Sequence, residues 1–167
     1  MCRTIQGMSH LEIERRYLLS GVPTLPADAR AYRLEQGYLP DDAGRVRRSV
    51  APDGAVTYTH TLKTGRGLVR RETERELGPD EFETLWPRTA GRRLAKTRSC
   101  IAEGPLVWEI DDYDGLDLVL AEVELPSPDT TVTIPTWLAA HVVRDVTDEP
   151  EYQNYEIALR MIRECSG

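Results

Sequence analysis

Several segments of the chain carry like charges at positions i and i+2, the spacing that places two side chains on the same face of a β-strand. The acidic sets are Glu12 with Glu14, Glu72 with Glu74 and Glu76, Glu109 with Asp111, and Glu122 with Glu124. The basic sets are Arg45 with Arg47 and Lys96 with Arg98, accompanied by the single cations Arg16, Lys63 and Arg70. These residues are the ones best placed to bind a charged ligand.

Grouped charges of one sign favour a ligand of the opposite sign. Two carboxylates about 7 Å apart repel each other by roughly 2 kcal/mol at an effective dielectric constant of about 20. Clustered carboxylates suit hard divalent cations such as Mg²⁺, while arginine and lysine suit phosphate oxygens. For any one pair, a solvated outer face of an antiparallel sheet is the commoner explanation. The recurrence of single-sign pairs favours a site for a metal and a polyanion, because an ordinary soluble face mixes the two signs.

Alternating apolar and polar residues, interrupted by turn residues, predict that strands dominate the chain. In LVLAEVEL (118–125), Val119, Ala121 and Val123 lie on one face, and Glu122 and Glu124 lie on the other. The short turns PDDAG, PDG and KTGRG favour antiparallel hairpins, since a parallel crossover needs about a dozen residues or more. The predicted strands are 10–18, 31–39, 45–50, 56–63, 68–77, 93–101, 106–113, 116–125 and 142–146.

Three segments show helical signals. GPDEFETLW (78–86) begins with proline and acids and predicts an amphipathic helix. A short helix is predicted to begin at Pro135, and the last has an apolar stripe of Tyr155, Ala158, Leu159 and Ile162. Charged residues on different strands can surround one ligand only if the sheet curls into a barrel, whose apolar outer face would then need helices against it.

Composition limits the class of protein. The 167 residues are 40% hydrophobic and 29% charged, as in an ordinary globular chain, and the net charge of −7 argues against nucleic acid as a partner. No apolar run approaches the roughly 20 residues that a membrane span needs, and three widely spaced cysteines fit a reducing compartment. We therefore expect a cytoplasmic protein without membrane contact, with one domain over 8–165 and a flexible tail over 1–7.

An ordered set of short motifs spans nearly the whole chain, from Leu11 to about Leu159. The motifs are EIERRYL, QGYL, RVRR, THTLK, an R-x-E-x-E-x-E run, KTR, WEIDDYDG, LAEVEL and DVTDEPEYQNY. Together they resemble the CYTH family of triphosphate tunnel metalloenzymes, which includes class IV adenylyl cyclases, thiamine triphosphatases and bacterial inorganic triphosphatases. The resemblance implies an α+β, mainly β fold: an eight-stranded antiparallel β-barrel that forms a charged tunnel, with a few helices packed outside.

The resemblance also assigns roles. Metal ligands by this assignment are Glu12, Glu14, Glu74, Glu122, Glu124 and Asp111, with Glu109 a further candidate. Substrate-binding residues are Arg16, Arg45, Arg47, Lys63, Arg70, Lys96 and Arg98, and the catalytic set is Glu12, Glu14, Glu74 and Lys63. Arg16 departs from the family signature E-x-E-x-K, because arginine keeps the positive charge of the lysine but changes the geometry and removes a titratable amine.

The predicted function is metal-dependent hydrolysis of inorganic tripolyphosphate, or of a related triphosphate, to diphosphate and phosphate. The resemblance implies Mg²⁺ or Mn²⁺ in a two-metal site and a triphosphate-bearing small molecule as partner, in a monomer or a homodimer. Two alternatives stay open: a class IV-type adenylyl cyclase that forms cyclic AMP from ATP, and a non-catalytic module that binds polyphosphate or an organophosphate. The sequence resembles the bacterial inorganic triphosphatase branch more closely than the cyclases.

Overall fold

A computed structural model describes residues 10–64 and 69–165 of the protein. The predicted tail over 1–7 and the centre of the KTGRG turn lie outside these residues, as does the side chain of Arg70. Strands account for most of the regular structure. They are β1 (His10–Leu19), β2 (Arg30–Tyr38), β3 (Arg45–Val50), β4 (Val56–Thr64), β5 (Val69–Glu76), β6 (Arg93–Glu103), β7 (Leu106–Tyr113), β8 (Val119–Glu124) and β9 (Val142–Asp145).

All the strand pairs are antiparallel, in the order β5-β4-β3-β2-β6-β7-β8-β1-β9. The first strand also pairs with β5 over His10 to Ile13, and with β8 from Glu14 onward. β1 thus has three hydrogen-bonded neighbours, β5, β8 and β9, and one face of the sheet turns inward around a tunnel. The predicted mainly β, antiparallel tunnel with helices outside is confirmed. β9 is a ninth described strand, which pairs with Tyr17–Leu19 of β1.

In the part of the chain that the structure describes, three helices lie outside the sheet: α1 (Pro79–Leu85), α2 (Thr136–Ala139) and α3 (Asn154–Cys165). Each covers a separate apolar cluster, since Phe82 of α1, Leu138 of α2 and Ile157 of α3 are all buried in different groups of strand residues. The hydrophobic effect thus holds the helices to the outer face, as the alternation in the strands requires. Among the described residues, no helix is long and apolar enough to cross a membrane.

The predicted apolar stripe of α3 was partly wrong. Ile157 and Ala158 have no exposed surface, whereas Tyr155 is 42% exposed, and the side chain of the predicted Ile162 is not among those that the structure describes. Tyr155 instead lies edge-on against Tyr38 of β2, with ring centroids 5.1 Å apart. The reason is that the first turn of α3 lies at the mouth of the tunnel, so its aromatic residue faces the opening rather than the core.

A glycine in β2 allows a close approach next to the tunnel wall. A Cβ at Gly37 would lie 2.4 Å from Oγ1 of Thr89, which is itself fully buried. Thr89 ends the short 3-10 turn Trp86–Thr89 that follows α1. Only a residue without a side chain lets this turn pack directly on β2, at the position between Gln36 and Tyr38.

Candidate active site

The inward faces of the strands enclose a cavity of about 1560 Å³. Acids and bases from seven strands meet there, although they are far apart in sequence. The charged residues that line it are Glu12, Glu14, Arg16, Arg45, Arg47, Lys63, Glu72, Glu74, Arg98, Glu109, Glu122 and Glu124, with Asp41, Asp42 and Arg92 near one mouth. The expectation that the charges of these strands turn toward a shared interior is therefore met.

Lys63 at the end of β4 lies between two carboxylates. Its Nζ is 2.8 and 2.7 Å from the two oxygens of Glu12, and 2.8 Å from Oε2 of Glu72. Burial alone would raise the pKa of Glu72, but Lys63 and Arg45 outweigh it and hold that pKa below its usual value. The positive charge that the sequence pattern demands between these acids is thus supplied partly by the protein itself.

A second cluster joins β1, β8 and β6 through Glu122. Arg16 donates from Nε to Oε1 of Glu122 at 2.7 Å, and Arg98 donates from Nη2 to Oε2 at 2.7 Å. Arg16 also donates from Nη2 to Oε1 of Glu14 at 2.5 Å. Burial raises the pKa of Glu122, but the two arginines more than reverse this and hold it well below its usual range. Both oxygens of Glu122 therefore accept hydrogen bonds from cations, which keeps this buried carboxylate ionised.

Lys96 and Asp111 lie behind the cavity wall rather than on it, since neither has any exposed surface. Asp111 accepts from Nζ of Lys96 at 2.5 Å and from Nε and Nη2 of Arg98 at 2.7 and 2.6 Å. Burial lowers the pKa of Lys96 to about 8, although the charge of Asp111 acts in the opposite direction. The structure thus places the predicted metal ligand Asp111 as the counter-ion of two buried cations, and the predicted phosphate-binding Lys96 away from the tunnel.

Arg45 and Arg47 are the cations of β3. Arg45 is 8% exposed and its Nε has no hydrogen-bond partner among the described residues. Arg47 donates from Nε and Nη2 to Oε1 of Gln36, at 3.3 and 3.1 Å. An arginine has five N–H donors in a planar fork, so both residues keep donors that can reach an anion in the cavity.

Several residues of the site did not stand out in the sequence. Gln36 and Tyr38 face the cavity side of β2, and Nε2 of Gln36 donates to the hydroxyl of Tyr38 at 3.0 Å. Asn154, at the start of α3, accepts at Oδ1 from Lys96 and from the hydroxyl of Tyr113, at 3.0 and 2.7 Å. Period-two spacing could have found Gln36, because it shares a strand face with Tyr38. Nothing in the local sequence could have joined Asn154 to β6.

The carboxylates of β1 and β8 fit a hard divalent cation by their chemistry. Glu14 is directly opposite Glu124 across the two strands, and both line the cavity. Like charges in this arrangement are unfavourable without a cation nearby, and carboxylate oxygens are the ligands of Mg²⁺ and Mn²⁺. Within the described ranges, no three His, Cys, Asp or Glu side chains are already gathered around one point. Mg²⁺ commonly completes its coordination with waters and substrate phosphates, so this set is sufficient for it.

Comparison with known proteins bears directly on this cavity. The chain is 35% identical over 154 residues to an inorganic triphosphatase of Nitrosomonas europaea, covering 89% of this chain and 97% of that protein. This chain belongs to the inorganic triphosphatase family. An inorganic triphosphatase of Acetivibrio thermocellus is 29% identical over 147 residues, which cover 86% of this chain and 90% of the relative. No family model matches the chain.

A solved structure of the same family shares the fold. The crystal structure of an inorganic triphosphatase matches with a TM-score of 0.59 and 32% identity, and it covers 89% of this chain and 94% of that one. Because the match spans β1 to α3 nearly completely, the resemblance to the triphosphate tunnel enzymes holds for the fold as well as for the motifs. The tunnel with its paired acids and bases is thus that of a chain in the inorganic triphosphatase family.

Proposed function

We propose that this protein hydrolyses inorganic tripolyphosphate to diphosphate and phosphate. The observation that carries the proposal is the cavity itself, where the cations Arg45, Arg47 and Lys63 line the same space as the carboxylates of β1 and β8. A cavity of this composition suits a small, highly charged anion accompanied by cations, and both curated relatives are named inorganic triphosphatases.

The basic residues would hold the triphosphate. Arg45 and Arg47 lie two residues apart on β3 and both face the cavity, so their guanidinium groups can bind oxygens of successive phosphates. Lys63, on the adjacent strand β4, adds a compact charge from the side of β5. Cations fixed in advance around the reacting phosphate stabilise the negative charge that develops on its oxygens, at no cost of reorganisation. Arg70 stays a predicted member of this set.

The carboxylates would hold two divalent ions, Mg²⁺ or Mn²⁺. The candidate ligands are Glu12, Glu14, Glu74, Glu122 and Glu124. When bound, such ions supply charge neutralisation and Lewis acidity at the phosphoryl oxygens. Glu74 accepts from the hydroxyl of Thr61 at 2.8 Å, which orients one of its oxygens, and the residue lines the cavity. Asp111 is left out of this set, because it has no exposed surface and does not line the cavity.

Phosphate release from tripolyphosphate by the purified protein with Mg²⁺ or Mn²⁺ tests the proposal. Absence of release from tripolyphosphate and from nucleoside triphosphates with either metal would refute it. The double variant Glu122→Ala, Glu124→Ala separates catalysis from binding. We expect it to lose metal-dependent turnover, while a matched change outside the tunnel, Asp112→Ala, leaves turnover intact.

The two alternatives are not favoured. A class IV-type adenylyl cyclase would need the same cradle and an adenine site, and a non-catalytic phosphate-binding module would need the bases without all the acids. The curated relatives are named triphosphatases, and both acidic pairs, Glu12 with Glu14 and Glu122 with Glu124, line the cavity here. Formation of cyclic AMP from ATP would reverse this ranking. A cytoplasmic location is part of the proposal and follows from the cysteine content of the sequence.

A further inference from the structure

Arg47 differs from Arg16, Lys63 and Arg98 in the kind of partner it has. Arg16, Lys63 and Arg98 each contact at least one carboxylate. Arg47 contacts the side-chain amide of Gln36, and in the ranges that the structure covers it forms no ion pair with a carboxylate. A cation that is fixed by a neutral group keeps its whole charge for a ligand.

The contact between Gln36 and Arg47 is set by the sheet. The two residues are direct register partners across β2 and β3, and Gln36 has no exposed surface. The guanidinium can only donate hydrogen bonds, so it dictates that Oε1 of Gln36 faces Arg47. The amide Nε2 then faces Tyr38 and donates to its hydroxyl at 3.0 Å. Both ends of the buried amide are thus satisfied, which fixes the side chain in one orientation.

Positive charge outweighs negative charge around Arg47. Burial and the like charges of Arg45 and Arg98 lower the pKa of Arg47 to about 10, and the acids Glu74 and Glu109 only partly oppose them. Such a guanidinium is short of negative charge before any ligand arrives. Its Nη1 group has no acceptor among the described contacts, while Nε and Nη2 are engaged by Gln36. It therefore presents free donors from a fixed base.

We propose that Gln36 is a positioning residue for anion binding: it holds the Arg47 guanidinium in the tunnel without neutralising it, so that Arg47 receives a phosphate group of the substrate with its full charge. The identity of the anion as tripolyphosphate rests on the proposed function. The positioning of Arg47 by Gln36 rests on the geometry of their contact and not on the identity of the anion. An amide and a carboxylate have the same shape, so the choice of glutamine at this position decides charge and not packing.

The variant Gln36→Glu tests this choice. A glutamate can accept from Arg47 with one oxygen and from the hydroxyl of Tyr38 with the other, because the hydroxyl can reverse its role. We expect tripolyphosphate, with the metal chelated, to bind roughly tenfold to a hundredfold more weakly in calorimetry, the loss of one hydrogen bond to a charged group. In turnover we expect KM to rise with kcat nearly unchanged, the pattern of lost uniform binding.

A second variant, Gln36→Met, separates charge from packing. It keeps the volume but removes the acceptor, so we expect Gln36→Glu to be the more stable of the two in thermal unfolding and the weaker binder of tripolyphosphate. If Gln36 had only a structural role, the less stable of the two variants would also be the weaker binder of tripolyphosphate. Thr97→Glu, which adds a negative charge on an exposed residue of β6, is the control and should bind tripolyphosphate as the unaltered protein does.

A double-mutant cycle with Arg47→Met completes the test. We expect Gln36→Met to weaken binding when Arg47 is present and to have no further effect when Arg47 is methionine. Equal binding by Gln36→Glu and the unaltered protein, or an equal effect of Gln36→Met in both backgrounds, would overturn the inference. If Gln36→Glu does not fold, the cycle decides alone. Protein that binds tripolyphosphate without hydrolysing it would refute the proposed function and leave this inference standing.

Discussion

The role of Asp111 gives a prediction whose size follows from the structure. Asp111 is fully buried and neutralises two buried cations, Lys96 and Arg98, through three hydrogen bonds of 2.5 to 2.7 Å. In Asp111→Asn, the neutral amide replaces the carboxylate, so Lys96 and Arg98 both lose the negative charge of this residue. Removing one partner of a buried ion pair typically costs about 3–5 kcal/mol. We therefore expect the free energy of unfolding to fall by about that amount.

Urea denaturation of the metal-free protein measures this effect. With a urea m-value of about 2 kcal/mol/M, the midpoint should fall by roughly 1.5–2.5 M. The neighbouring Asp112→Asn is the matched control, since Asp112 is exposed on the other face of β7, and surface changes of this kind stay within about 0.5 kcal/mol. If Asp111 acted mainly as a metal ligand, the variant would unfold like the unaltered protein in the presence of a chelator. That result would refute the assignment.

The same variant has a pH signature. The charge of Asp111 raises the pKa of Lys96, so its removal should lower that pKa below the value of about 8 that burial sets in the intact protein. A lysine whose folded pKa lies below its unfolded value binds fewer protons in the folded state, so stability rises with pH. The deficit of Asp111→Asn should therefore shrink as the pH rises from 6 toward 8, because neutral Lys96 no longer needs a counter-charge.

Two further predictions concern single cations. Between the folded pKa of Lys96, about 8, and its unfolded value near 10.5, only the unfolded state binds the proton, so the stability of the unaltered protein rises with pH in that window. Lys96→Met should remove this part of the rise. Unfolding curves at pH 7, 9 and 10 measure it, and a rise that persists in the variant would contradict the prediction. Arg16→Lys should lower stability by about 1–2 kcal/mol, because one ammonium cannot reproduce the fork that joins Glu14 and Glu122. An unchanged melting temperature would contradict that reasoning.

Much of the fold was predictable because it is written in local patterns. The predicted strands 45–50 and 106–113 match Arg45–Val50 and Leu106–Tyr113, and the predicted helix at 78–86 contains Pro79–Leu85. Period-two alternation and turn residues act over a few neighbouring positions, so they can be read without knowledge of distant contacts. The ends of the strands were predicted less accurately, as in β6, which continues to Glu103 beyond the predicted 101.

The candidate site was predictable in kind but not in arrangement. The pairing of Glu12 with Glu14 and of Glu122 with Glu124 already indicated a charged interior, because the i, i+2 spacing fixes the face of a strand. It could not show that Arg16 lies between Glu14 and Glu122, since that contact depends on the register between β1 and β8. The cation that the repulsion argument demanded is thus partly a side chain of the same protein.

The sequence by itself determined which strands exist, which face of each is charged, and that these faces need a counter-ion, because strand geometry converts spacing into direction. Only the tertiary structure decided which charges reach the cavity. Lys96 and Arg98 look equivalent in the sequence, yet Arg98 lines the cavity and Lys96 lies behind it, bound to Asp111 and Asn154. The physical reason is that burial and pairing depend on which strands and helices meet: Asp111 reaches Lys96 across the pairing of β6 with β7, and Asn154 comes from α3, 58 residues further along the chain.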